Sequence, residues 1–217
     1  MRDGIVGVVR ALLRPFGLHT DAMILPIHLY GHDALRRETT PVEENTEELQ
    51  KLIDNMIETM HNAAGIGLAA PQVGRDERLF VIDVTPMVAE MEEDDEPVPP
   101  QPMVFINPEI VEEGADEVDM EEGCLSIPEI REPVSRPERV RVRYLDREFE
   151  EQEIETGSVL ARVVQHEYDH LEGVLFTDYL SSFRKRLLRK SLRKMTEGDG
   201  TAEYPLVAQG GEPVPAR

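Results

Sequence analysis

Two histidines one helical turn apart are the first residues in this chain with chemistry in them. His166-Glu167-Tyr168-Asp169-His170 sets imidazoles at positions i and i+4, which share one face of a helix and can bind a single metal ion together. Glu167 follows the first histidine and can reach the same side without being a ligand. That suits metal-assisted hydrolysis: the metal lowers the pKa of water to about 7, and a carboxylate carries the proton to the leaving group. Two chance histidines on a polar helix face are the bland alternative. Apolar turns around the motif, with Val159, Leu160, Val163 and Val164 at helical spacing, favour the metal.

A catalytic site of this kind needs a third protein ligand and one open position. The protease templates do not provide it. A metzincin continues His-x-x-Gly-x-x-His; here Gly173 is in place, but Phe176 stands where the third histidine belongs. A thermolysin-like enzyme takes a downstream glutamate, and residues 186–196 contain none. Upstream lies Cys124, the single cysteine, in Glu122-Gly123-Cys124-Leu125-Ser126. A lone cysteine is commonly an inert buried residue. Beside an HExxH pair short of a ligand, its soft thiolate becomes the candidate third donor, so Cys124, His166 and His170 form the expected set. A third segment, Gly65-Ile66-Gly67-Leu68-Ala69-Ala70-Pro71-Gln72, follows a helix and lacks the third glycine of a dinucleotide fingerprint. Taken alone it reads as a tight packing turn, or as a close backbone approach to a ligand with Gln72 adding an amide donor.

GIGLAAPQ, EGCLS and QHEYDH, in that order, resemble the three signature motifs of the bacterial peptide deformylases. The resemblance covers roughly residues 24–195. It implies a hydrolase that removes the N-formyl group from the initiator formyl-methionine of nascent polypeptides and releases formate. It implies that Cys124, His166 and His170 hold the metal and that Glu167 is the general acid/base. Gln72 and the backbone N–H of Leu125 would donate to the formyl oxygen. Ile66 and Gly67 would form a strand edge that pairs with the substrate main chain, and Glu122 and Arg131 would belong to the substrate-binding surround. Arg131 and Arg136 both match family positions; for Arg131 the choices are an anchor for Glu122 or plain surface charge. The resemblance implies Fe(II) as the cellular ion, with zinc, nickel or cobalt in purified protein. Two rivals remain: a metallopeptidase of HExxH type, and an inactive ribosome-associated relative, against which an intact Glu167 argues.

Several elements must position these residues. A helix is expected from a cap at Asn45 or Thr46 to about Asn62, with Leu49, Leu52, Ile53, Met56, Ile57 and Met60 on one apolar face. Strands are expected at 79–84, at 103–106 and around Val140, Val142 and Tyr144, with an extended segment at 24–30. A second helix covers 158–171 and carries the HExxH motif. A third covers about 181–195 and bears seven basic residues; from the residues it packs on the body with solvated charges, while its resemblance to the basic C-terminal helix of some family members implies docking on the ribosome. Without regular βαβ alternation, the class is α+β: small mixed or antiparallel sheets around a central HExxH helix, with a C-terminal helix. Residues 1–22 read as a loose N-terminal extension without a convincing signal-peptide cleavage site, 23–195 as the catalytic domain, and 196–217 as a flexible tail. The acid- and proline-rich stretch 88–102 reads as a solvated insertion.

Charge narrows the partners. Asp and Glu number 44 against 23 Lys and Arg in 217 residues, a net charge of −21. Such a surface repels phosphate backbones and argues against DNA binding. No apolar run is long enough to span a membrane. A single cysteine fits a reducing, cytoplasmic setting in a bacterium. The only lysines are Lys51, Lys185, Lys190 and Lys194. An acid-rich, lysine-poor surface reads as that of a salt-adapted organism, or of a merely acidic protein.

Overall fold

The computed structural model describes residues 22–88, 91, 99–211 and 213–214. The extension at 1–21 and most of the insertion at 88–102 lie outside the described residues. Among the described residues, three long helices accompany ten strands in three sheets, the α+β class expected. Helix α1 is Glu47–Asn62; Thr46 caps it, its hydroxyl accepting from the Leu49 N–H at 3.1 Å. Helix α2 is Ser158–Leu171 and α3 is Ser182–Thr196.

The largest sheet runs β2-β3-β4-β7-β8, antiparallel throughout. Its strands are β2 Gly67–Ala69, β3 Leu79–Ile82, β4 Met103–Glu113, β7 Val140–Leu145 and β8 Glu151–Thr156. Alternation along β3 explains the layers, because successive strand residues face opposite sides. Leu79 and Val81 join α1's Leu52, Met56 and Met60 in one core. Phe80 and Ile82 join Phe105, Tyr144 and α2's Leu160 and Val164 in another. Strand β3 is therefore buried on both faces, and the HExxH helix covers one of them. Only Ser158, Tyr168 and Asp169 of α2 escape full burial.

Strands β5 (Glu117–Cys124) and β6 (Ile127–Pro137) form a separate two-stranded ribbon that the sequence reading did not foresee. Beta-poor β5 is acidic, and β6 contains Pro128, Pro133 and Pro137, which ordinarily argue against a strand. A ribbon with no third strand tolerates them, because one edge of each strand needs no ladder partner. The strand β1 (Ile27–His28) pairs in parallel with β9 (Leu206–Val207), which pairs with β10 (Pro213–Val214). This corrects the expectation of a flexible tail from 196 onward. Gly and Pro content suggested looseness, but Leu206, Ala208 and Val214 are buried and join the α1 core. Among the described residues no helix is long and apolar enough to cross a membrane.

Candidate metal centre and active site

Helix α2 supplies His166, Glu167 and His170, and the end of β5 supplies Cys124. One ligand atom from each of Cys124, His166 and His170 lies within 4.8 Å of the others. Cys124 Sγ is 3.3 Å from His170 Nε2. The imidazole planes stand nearly perpendicular, at 83° with centroids 5.1 Å apart. The donor set is thiolate and two imidazoles, suited to a single borderline-soft divalent ion.

Charge points the same way. Burial opposes a positive charge on His166, yet hydrogen bonds that its ring makes to Cys124 and Glu122 raise its pKa well above the usual histidine range. Burial keeps His170 neutral, lowering its pKa well below the usual value. Glu167 is buried, and burial pushes its pKa up to about 7, with His166 opposing and Glu122 adding to the rise. Its Oε2 has no hydrogen-bond partner. A carboxyl poised near neutrality is what proton shuttling needs.

A buried ion network orients His166. Glu122 Oε2 lies 2.8 Å from His166 Nδ1, fixing the ring so that Nε2 is left for the metal site. Arg136 grips both oxygens of Glu122 at 2.6 and 3.0 Å, and Arg162 donates to Oε1 at 2.8 Å. Burial penalises the Glu122 charge, but His166 and Arg136 hold its carboxyl far below the usual range. Arg136 also reaches Asp169 at 2.7 Å and lies over the Tyr179 ring. Arg162 ties the ribbon to α2 through the Val118 and Val134 carbonyls at 2.6 and 2.7 Å. Phe176, which occupies the metzincin ligand position, stacks beside His166 with centroids 6.1 Å apart.

Glu122 lies at the cavity, with both oxygens engaged in supporting the imidazole. Its anchor is Arg136, not Arg131. Arg131 is exposed, with its aliphatic stem against Gly123 at the cavity rim. Arg162 was not anticipated. Its place one turn before His166 on a buried helix face is the signal that could have found it.

The GIGLAAPQ segment is more than a turn. Gly67 opens β2, an edge strand bonded only to β3. A Cβ on Gly67 would overlap the Glu167 carboxylate, so glycine is required for helix and strand to meet. Gln72 is buried; its Oε1 accepts from the Ala69 N–H at 2.8 Å, which turns Nε2 toward Cys124 Sγ at 3.5 Å and Ser126 Oγ at 3.3 Å. Leu125 sits in the two-residue turn between β5 and β6. These groups open onto a cavity of about 890 Å³, walled by residues 63–67, the 120–131 end of the ribbon, α2 and residues 201–204.

A model of the polypeptide deformylase family matches residues 24–186. A peptide deformylase of Salinibacter ruber is 73% identical over 195 residues, covering 90% of this chain and all of that protein. One from Cytophaga hutchinsonii is 47% identical, covering 84% of this chain and 96% of its own. Among solved structures, a peptide deformylase from Legionella pneumophila superposes with a TM-score of 0.70 at 40% identity, over 80% of this chain and 96% of its own. One from Synechococcus elongatus, in complex with actinonin, gives 0.67 at 41% identity, over 77% and 87%. With a family model spanning most of its length and relatives this similar over nearly their whole extent, the chain belongs to the polypeptide deformylase family.

Proposed function

We propose that Cys124, His166 and His170 hold one divalent metal ion, and that the enzyme uses it to hydrolyse the formyl amide of N-formyl-methionyl chains. The observation that carries this is the close meeting of the three ligand atoms beside the unpartnered Glu167 Oε2. Such an ion supplies Lewis acidity at the carbonyl and acidifies water. The chain's own residues do the rest. Glu167 takes the proton from the attacking water at Oε2 and returns it to the departing methionyl nitrogen, so formate and a free amine result. Gln72 Nε2 and the Leu125 N–H donate to the formyl oxygen as it gains charge, preorganised before reaction. The free edge at Ile66 and at Gly67, where β2 begins, accepts the substrate main chain as an added strand, a mode that reads backbone and tolerates many sequences. Ile130, Val159 and Val163 line the cavity and suit an unbranched apolar side chain such as methionine.

Fe(II) is the cellular ion in this reading, with zinc, nickel or cobalt as replacements in purified protein. The substrate in the cell is the formylated nascent N-terminus in a bacterial cytoplasm. Helix α3 buries Leu192 and Met195 but leaves Phe183 and Leu187 exposed among its basic residues, which supports docking on the ribosome. The catalytic unit begins near residue 23 and includes the cavity-lining residues 201–204, and residues 1–22 are an extension. An acidic, lysine-poor composition supports a salt-adapted host.

The test is formate release from formyl-Met-Ala-Ser, with metal content measured on the same anaerobically prepared sample. Turnover on this peptide, and none on an unformylated protein substrate, is expected. Cleavage of the protein instead would make the enzyme a metallopeptidase; no turnover on either, with metal present, would make it an inactive relative. Full activity with zinc alone would remove the assignment of iron.

A further inference from the structure

Tyr204 comes from the segment whose composition suggested a loose tail, yet it reaches the reaction cavity. Its hydroxyl donates to the Leu125 carbonyl at 2.8 Å, and residues 201–204 form one wall of the cavity. The strand behind it is firmly attached. Leu206 is buried and pairs with Ile27; the Ile27 N–H donates to the Pro205 carbonyl at 2.9 Å and the Leu29 N–H to the Val207 carbonyl at 2.8 Å. Beyond it, Gln209 exchanges hydrogen bonds with Asp33 at 3.0 and 2.7 Å.

The turn that Tyr204 touches is held residue by residue from different parts of the chain. Gln72 approaches Cys124 Sγ and Ser126 Oγ. The Tyr30 N–H donates to the Ser126 carbonyl at 2.8 Å. Tyr204 alone among these holds the Leu125 carbonyl. The peptide planes on either side of the Leu125 Cα are rigid and turn only about φ and ψ. Fixing the carbonyl plane therefore narrows the directions open to the N–H plane.

We propose that Tyr204 is a positioning residue for deformylation: by holding the Leu125 carbonyl, it aims the Leu125 N–H at the oxygen of the scissile formyl group. This rests on the reading of Leu125 as an oxyanion donor. A C-terminal strand thereby becomes part of the apparatus that orders the active site.

Tyr204→Phe in the full-length, metal-loaded protein removes the hydroxyl and keeps the ring. It is expected to lower kcat about 10-fold with KM within about twofold, less than the ~10²-fold that follows outright loss of an oxyanion donor. In ¹⁵N-leucine-labelled protein, the Leu125 amide order parameter should fall from the rigid range of about 0.85 toward 0.6. Both changes are required, at unchanged metal content per chain. A drop in kcat with the Leu125 amide still rigid, or a loosened amide with kcat unaltered, overturns the proposal. So does a loss that follows only melting temperature and metal content. If the wild-type protein itself releases no formate, the deformylase mechanism fails on that result alone, while the amide signal still reports whether Tyr204 orders the turn.

Discussion

Glu167 sits where a strand and a helix nearly collide. Gly67 leaves its carboxylate just enough room, burial raises its pKa to about 7, and its Oε2 has no protein partner. A buried carboxyl without a hydrogen-bond partner costs stability. Glu167→Ala should keep its metal, since the three candidate ligands are untouched, and lose turnover by about 10²- to 10⁴-fold, the usual worth of a positioned general acid/base. Formate release and metal content on one sample check both halves; unchanged turnover would overturn the role. At this scale the sequence was highly legible. HExxH spacing is local, so His166, Glu167 and His170 follow from helix geometry, and the missing third ligand pointed to the one cysteine. Partners set by tertiary packing were not legible. Nothing in the local sequence says that Arg136, five residues beyond Arg131 on the same ribbon, is the one that turns inward to Glu122. The alternation of β6 shows it only once β6 is known to be a strand: Glu132, Val134 and Arg136 are buried while Arg131, Pro133 and Ser135 are exposed.

At the scale of elements, the site is a joint between α2 and the β5–β6 ribbon. Cys124 belongs to the ribbon and the two histidines to the helix, so the candidate ligands meet only if ribbon and helix are locked. Arg162 is that lock: it donates to Glu122 and to two ribbon carbonyls from a buried position. Arg162→Met would leave both carbonyls short of a donor and weaken the neutralisation of Glu122. We expect a loss of about 3–5 kcal/mol, the cost of breaking a buried ion pair from one side, read as a lower midpoint in urea unfolding. A midpoint close to that of the wild type would mean that the joint does not depend on Arg162. The helices were legible because α1 and α2 repeat apolar residues at helical spacing. The ribbon was not, because its prolines and acids mask an alternation that only one buried face requires. Strand β8 hid for a similar reason: Glu151, Glu153 and Glu155 face solvent and only Thr156 is buried.

Across the whole molecule, the net charge of −21 is the dominant long-range term. Cross-strand pairs such as Arg141 with Glu112 and Glu155, at 3.0 and 3.1 Å, offset part of it, though exposed pairs contribute little because solvent and salt screen them. Self-repulsion among the remaining carboxylates is screened as the Debye length falls to about 3 Å at 1 M salt. The melting temperature should therefore rise between 0.1 and 2 M KCl, about the salt range of the proposed setting; equal stability at both would remove the proposal of salt adaptation. The C-terminal strands show why composition misleads at this scale: Gly and Pro content is a local property, whereas Leu206 pairs with Ile27 from the other end of the chain and Val214 pairs in turn with Leu206. The same long-range closure brings a ribbon cysteine to a helix. X-ray absorption at the metal edge of the loaded protein tests that meeting most directly. One sulfur and two nitrogen scatterers per metal ion are predicted; a metal environment without sulfur, in protein that releases formate, would contradict the assignment of Cys124.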